Sequence, residues 1–95
     1  MLLTDLLVRG RAAQRPTKPE VWLVVEISSV VDREDVARAV RRAELLRRAG
    51  LKGVPVVAGE GATEGADTEA RARGVPMLSD GAPQLWDEAL TAWPI

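Results

Sequence analysis

The chain has 95 residues, 46% hydrophobic and 28% charged, with a net charge of −1, and reads as one small domain over 1–95. It holds no cysteine and no histidine, which excludes a disulfide framework, thiolate or imidazole metal sites and any Ser-His-Asp triad. A metal could be held only by Asp and Glu oxygens, a donor set that favours Mg²⁺, Mn²⁺ or Ca²⁺.

Residues 2–9, "LLTDLLVR", read as a first strand interrupted by Asp5. "GRAAQRPTKP" follows as a loop or long hairpin turn rich in Arg and Lys. Residues 21–28 form the second strand. Asp32 is a helix N-cap, with Glu34 and Asp35 at the positive end of the helix dipole. That helix runs to about Ala49 and stops at Gly50. Val36, Ala39, Val40, Ala43 and Leu46 share one face of it, and Arg38, Arg41, Arg42 and Arg48 the other, with Leu45 among the arginines. "VPVVAGE", 54–60, is a third strand, and residues 62–74 are a weaker helix between Thr63 and Gly74. "VPMLSDG", 75–81, is a fourth strand and turn. A short amphipathic helix with Pro83 near its start closes the chain, carrying Trp86 and Trp93 on one side. "GEGATEG", 59–65, lacks the Lys and the order of a phosphate-binding loop and reads as a turn.

The expected fold is α/β: a small mixed four-stranded sheet, an antiparallel hairpin followed by parallel βαβ units, flanked by helices. No apolar run is long enough to cross a bilayer, and the N-terminus lacks the layout of a signal peptide, so the expected location is cytoplasmic. Scarce Gln and absent Asn and Cys suit a thermophile, whereas the excess of Arg over Lys suits a GC-rich genome equally well. Residues 1–52 carry a net charge of +4 and residues 53–95 a net charge of −5. The asymmetry fits a face made for an anion such as nucleic acid, or else the solvated faces of helices.

The second strand raises the question of chemistry. Side chains alternate along a strand, so Trp22, Val24, Glu26 and Ser28 face one way. A carboxylate between apolar neighbours in a central strand needs a cation, a donor network or access to water. Asp5 poses the same question next door. If the two strands pair, the acids meet at one end of the sheet, where they would hold a divalent metal or would be tied to arginines such as Arg9 or Arg42.

"DLLVRGR", "LVVEISSVVDREDVARAVRRAELLRRAG" and "VPVVAGE" resemble the core of the PD-(D/E)XK, restriction-endonuclease-like superfamily. Within it they are similar to a group of uncharacterised bacterial proteins with a nuclease-like domain after a helical N-terminal region. The resemblance covers roughly residues 3 to 80. It implies that Asp5 matches the metal-binding Asp, Glu26 the acid of the E-x-K tripeptide, and Ile27 the position whose carbonyl completes the metal site. Ser28 stands where the superfamily has its Lys, and the helix that precedes the first strand there has no counterpart in this sequence. A serine supplies none of the charge stabilisation that the Lys would. The implied cofactor is Mg²⁺ or Mn²⁺, and the implied ligand is DNA or RNA, contacted through Arg9, Arg11, Arg15, Lys18, Arg38 and Arg42.

Two functions follow as expectations. One is a nuclease-fold domain, catalytically weak or inactive at Asp5, Glu26 and Ser28, that binds nucleic acid or a partner protein. The other is a metal-dependent phosphodiesterase using Asp5 and Glu26. A small core, the apolar Leu45 and the Trp-bearing terminal helix suggest a homodimer.

Overall fold

A computed structural model describes residues 6–11, 19–79 and 82–95. Its elements are β1 (Leu6–Arg11), β2 (Glu20–Ile27), β3 (Val30–Val31), α1 (Arg33–Arg48), β4 (Gly53–Gly59), β5 (Gly61–Ala62), α2 (Glu64–Arg73), β6 (Met77–Ser79), β7 (Ala82–Gln84) and α3 (Trp86–Ala92). The main sheet has the order β1-β2-β4-β6-β7. β1 and β2 pair antiparallel, with Leu6 opposite Val25, and β2, β4 and β6 run parallel. The four expected strands therefore form the expected mixed sheet. Among the described residues, no helix is long and apolar enough to cross a membrane.

The caps act where the sequence put them. Asp32 accepts from the Asp35 N–H at 2.9 Å while the Asp35 carboxylate accepts from the Asp32 N–H at 3.0 Å, a reciprocal capping box. Thr63 caps α2 through the Ala66 N–H at 3.0 Å, and Gly74 ends it in the left-handed region at φ 65°.

The terminal helix starts later than expected, and β1 runs on through Gly10 and Arg11 of the expected loop. Pro83 lies in β7, an edge strand that tolerates a missing N–H, and α3 starts only at Trp86. A two-residue pair, β3 with β5, extends the carboxyl end of the sheet, and it is too short to leave a periodic signal.

Both crossovers proceed in the same direction across the sheet, so α1 and α2 pack on one face. There Val57 packs with Val36, Ala39 and Val40 of α1 and with Ala66 and Ala70 of α2, and Val24 and Ala43 are buried as well. Short side chains let the helices sit close, and each fully buried valine contributes roughly 1.5–3 kcal/mol relative to an exposed one. Among the described residues, the helix on the opposite face is the seven-residue α3. That helix is held from its far end: the Trp93 indole N–H donates to the Arg73 carbonyl at 3.1 Å. Arg47 lies 5.4 Å over the Trp93 ring, donating to the carbonyls of Gly53 at 2.7 Å and Pro94 at 3.0 Å. Burial lowers the pKa of Arg47 from its ordinary value.

Gly74 is the hinge of this arrangement, because a Cβ there would stand 2.5 Å from the Ala92 Cβ and 3.2 Å from the Glu88 carbonyl oxygen. Gly74→Ala combines a left-handed backbone with overpacking and should destabilise the protein by about 2–4 kcal/mol. Thermal unfolding followed by circular dichroism should show a fall in midpoint of at least about 8 °C. An unchanged midpoint would mean that α3 does not pack on the end of α2.

Candidate functional site

Glu26 sits on the helix-covered face of β2, in register with Val57 of β4, and is 2% exposed. α1 satisfies it. Arg42 donates to one carboxylate oxygen, and Arg38 lies 3.8 Å from the other. Residues 38 and 42 are one helical turn apart, so both guanidiniums reach the same carboxylate. Arg38 also pairs with Asp35 at 3.2 Å, which links the network to the capping box of α1. The Arg38 and Arg42 side chains keep 36% and 24% of their surface exposed, so this is a carboxylate buried under a partly wet pair of cations.

The other expected site residues are spread out. Ile27 is 54% exposed and points to the opposite face of the sheet. Ser28 follows the end of β2; its N–H donates to the Ala58 carbonyl at 3.0 Å and its hydroxyl donates to the Val30 carbonyl, also at 3.0 Å. The hydroxyl therefore shapes the turn into β3. Arg9 and Arg11 lie on β1, exposed, with Arg9 4.0 Å from Glu20 and 5.8 Å from the centre of the Trp22 ring. Asp5, Arg15 and Lys18 lie outside the described residues. Among the described residues, no three acidic side chains are gathered closely enough to hold a metal ion.

A basic groove on the outer side of α1 was not anticipated as a unit. Arg38, Arg41, Arg42 and Arg48 line it together with Glu44 and Leu45, and it encloses about 430 Å³. Arg41 pairs with Glu34 at 3.3 Å, both exposed, and Arg48 makes no ion pair among the described residues. The signal was in the sequence: positions 38, 41, 42, 45 and 48 recur at helical spacing. A second opening, at the carboxyl ends of the strands, is lined by Thr63, Glu64, Asp67, Thr68 and Ser79 and is acidic. Anions are thus favoured on one side of the molecule and disfavoured on the other.

Compared with protein families, curated proteins and solved structures, the chain finds no match.

Removing Glu26 leaves two partly solvated guanidiniums without their shared counter-charge. Glu26→Ala should destabilise by about 2–4 kcal/mol, below the figure for a fully buried pair because the arginines reach solvent. Replacing Glu26 and Arg42 together by Leu should recover most of that loss. Urea unfolding of Glu26→Leu, Arg42→Leu and the double variant checks this, and strictly additive losses would contradict the pairing.

Proposed function

We propose that the chain is a nucleic-acid-binding module, laid out like a nuclease core, with little or no cleavage activity of its own. The observation that carries this reading is the groove of α1, where four arginines line one opening. Planar guanidinium forks match phosphate oxygens, and Arg38 and Arg42 are already oriented by Glu26, so less ordering is required when a phosphate arrives.

The aromatic residues support a particular mode. The chain has three tryptophans and no Phe or Tyr. Trp22 lies beneath Arg9, Trp86 lines the opposite sheet face, and Trp93 holds α3. None lines the groove, so backbone phosphates, and not stacked bases, are its natural ligand.

Two features favour binding without catalysis. Glu26 is engaged by two guanidiniums where a metal-bound carboxylate would face its ion. Ser28, at the position of the expected Lys, has its hydroxyl in a turn. Losing one preorganised charge-stabilising group lowers rates by about a hundred- to a thousandfold.

A labelled duplex of random sequence, titrated at increasing salt, tests the proposal. Affinity should fall linearly on a log–log plot. Arg41→Ala with Arg48→Ala should weaken binding and reduce that slope by about 1–2 while leaving thermal unfolding nearly unchanged. Binding insensitive to both salt and this double variant would refute the groove. The same duplex with Mg²⁺ or Mn²⁺ should remain uncut. Cleavage that Glu26→Gln abolishes would establish the metal-dependent phosphodiesterase instead.

A further inference from the structure

The two arginines that face Glu26 do so with the same atom. Arg42 donates from Nη1 to Glu26 Oε1, and Nη1 of Arg38 lies 3.8 Å from Glu26 Oε2. Asp35 also accepts from Arg38 Nη1, at 3.2 Å. A guanidinium carries its N–H donors in a rigid plane, and Nε with Nη2 forms the side-on fork that meets two oxygens of one anion. In neither Arg38 nor Arg42 does that fork contact a described residue. Both side chains line the groove of α1 and keep part of their surface exposed, whereas Glu26 is buried. A ligand can therefore meet the two guanidiniums without displacing the carboxylate that holds them.

We propose that Arg38 and Arg42 form a clamp of two forks for the non-bridging oxygens of backbone phosphates, and that Glu26 is its positioning residue. The clamp rests on the nucleic-acid reading above and deepens it by dividing the groove's cations into two kinds. Three of the four groove arginines already face a carboxylate, Arg38 and Arg42 through Glu26 and Arg41 through Glu34. Net charge therefore accounts for only part of what the groove offers an anion.

Donor geometry accounts for the rest. Arg41 and Arg48 are exposed; the partner of Arg41 is the equally exposed Glu34, and Arg48 has no ion pair among the described residues. Long side chains in water must be ordered when a phosphate binds, so these two supply mainly attraction. Arg38 and Arg42 are aimed beforehand by a carboxylate that cannot follow them into solvent. Planar forks match phosphate oxygens in pairs, which an ammonium cannot do.

The sign of one substitution separates positioning from charge. Glu26→Gln keeps the size of the side chain and removes a negative charge beside the groove. Were charge alone in control, a labelled random duplex would bind this variant more tightly. The clamp predicts binding weaker by about fivefold or more, because Arg38 and Arg42 lose the carboxylate that aims them. Arg42→Lys keeps the charge and loses the fork. It should bind about tenfold less tightly at every NaCl concentration between roughly 50 and 200 mM, with the wild-type salt slope. Arg48→Lys should lose far less than Arg42→Lys. Fluorescence anisotropy on the full chain measures binding, at a temperature where circular dichroism verifies that each variant is folded. Should Glu26→Gln fail to fold, Arg38→Lys takes its place, with the result expected of Arg42→Lys. Equal or tighter binding by folded Glu26→Gln, or equal losses in Arg42→Lys and Arg48→Lys, would overturn the clamp. The nucleic-acid reading would survive that outcome if Arg41→Ala with Arg48→Ala still weakened binding. A wild type that binds no duplex at low salt would overturn both.

Discussion

A single buried carboxylate constrains the arrangement of this small protein. Glu26 lies on the covered face of a central strand, between Val24 and the end of β2, and its charge requires partners wherever the helix packs. α1 provides them as Arg38 and Arg42, one turn apart, and Arg38 continues to Asp35 in the capping box. Such a pair adds little net stability over well-packed apolar residues. Its consequence is geometric. Only one rotation and one height of α1 bring both guanidiniums to Glu26 while Val36, Ala39, Val40 and Ala43 enter the core. The pair fixes what faces outward too, namely the arginine side that forms the groove.

From that packing the two faces of the sheet acquire different roles. One is sealed by two helices through valine and alanine contacts, and the outer side of α1 there is lined with arginines. The other carries aliphatic side chains that a short terminal helix leaves uncovered. The proposed phosphate recognition belongs to the outer side of α1, where Arg48 reports on it without touching Glu26.

Much of the fold was legible in the sequence, for local reasons. Asp32, Thr63, Gly50 and Gly74 mark helix ends because capping chemistry depends on neighbours in the chain. The long apolar run of β2 marks a central strand. The limits of α3 were hidden because Pro83 suits the first turn of a helix and an edge strand equally well. Glu26 announced itself as an anomaly with Arg42 as one expected partner, but Arg38 was not expected there. Periodicity places Arg38 and Arg42 opposite the core, and only the reach of a long side chain across a helix border brings them to a buried acid. The open face was written into the alternation of β2, yet which face stays open depends on the crossovers, which no local pattern encodes. The pairing of Asp5 with Glu26 was inferred from strand order alone, and Asp5 lies outside the described residues.

Glu26 as the anchor of α1, and not as a metal ligand, is tested most directly by thermal unfolding of wild type and Glu26→Gln at increasing Mn²⁺. A ligand that binds only the folded state stabilises it by about 2.7 kcal/mol at a hundred times its dissociation constant, which for a chain of this length is a rise of about 10–20 °C in midpoint. An anchor predicts that the wild-type midpoint stays flat across the titration, with Glu26→Gln lower by the same amount at every Mn²⁺ concentration. A saturable rise in wild type that disappears in Glu26→Gln would contradict it and make the carboxylate a metal ligand.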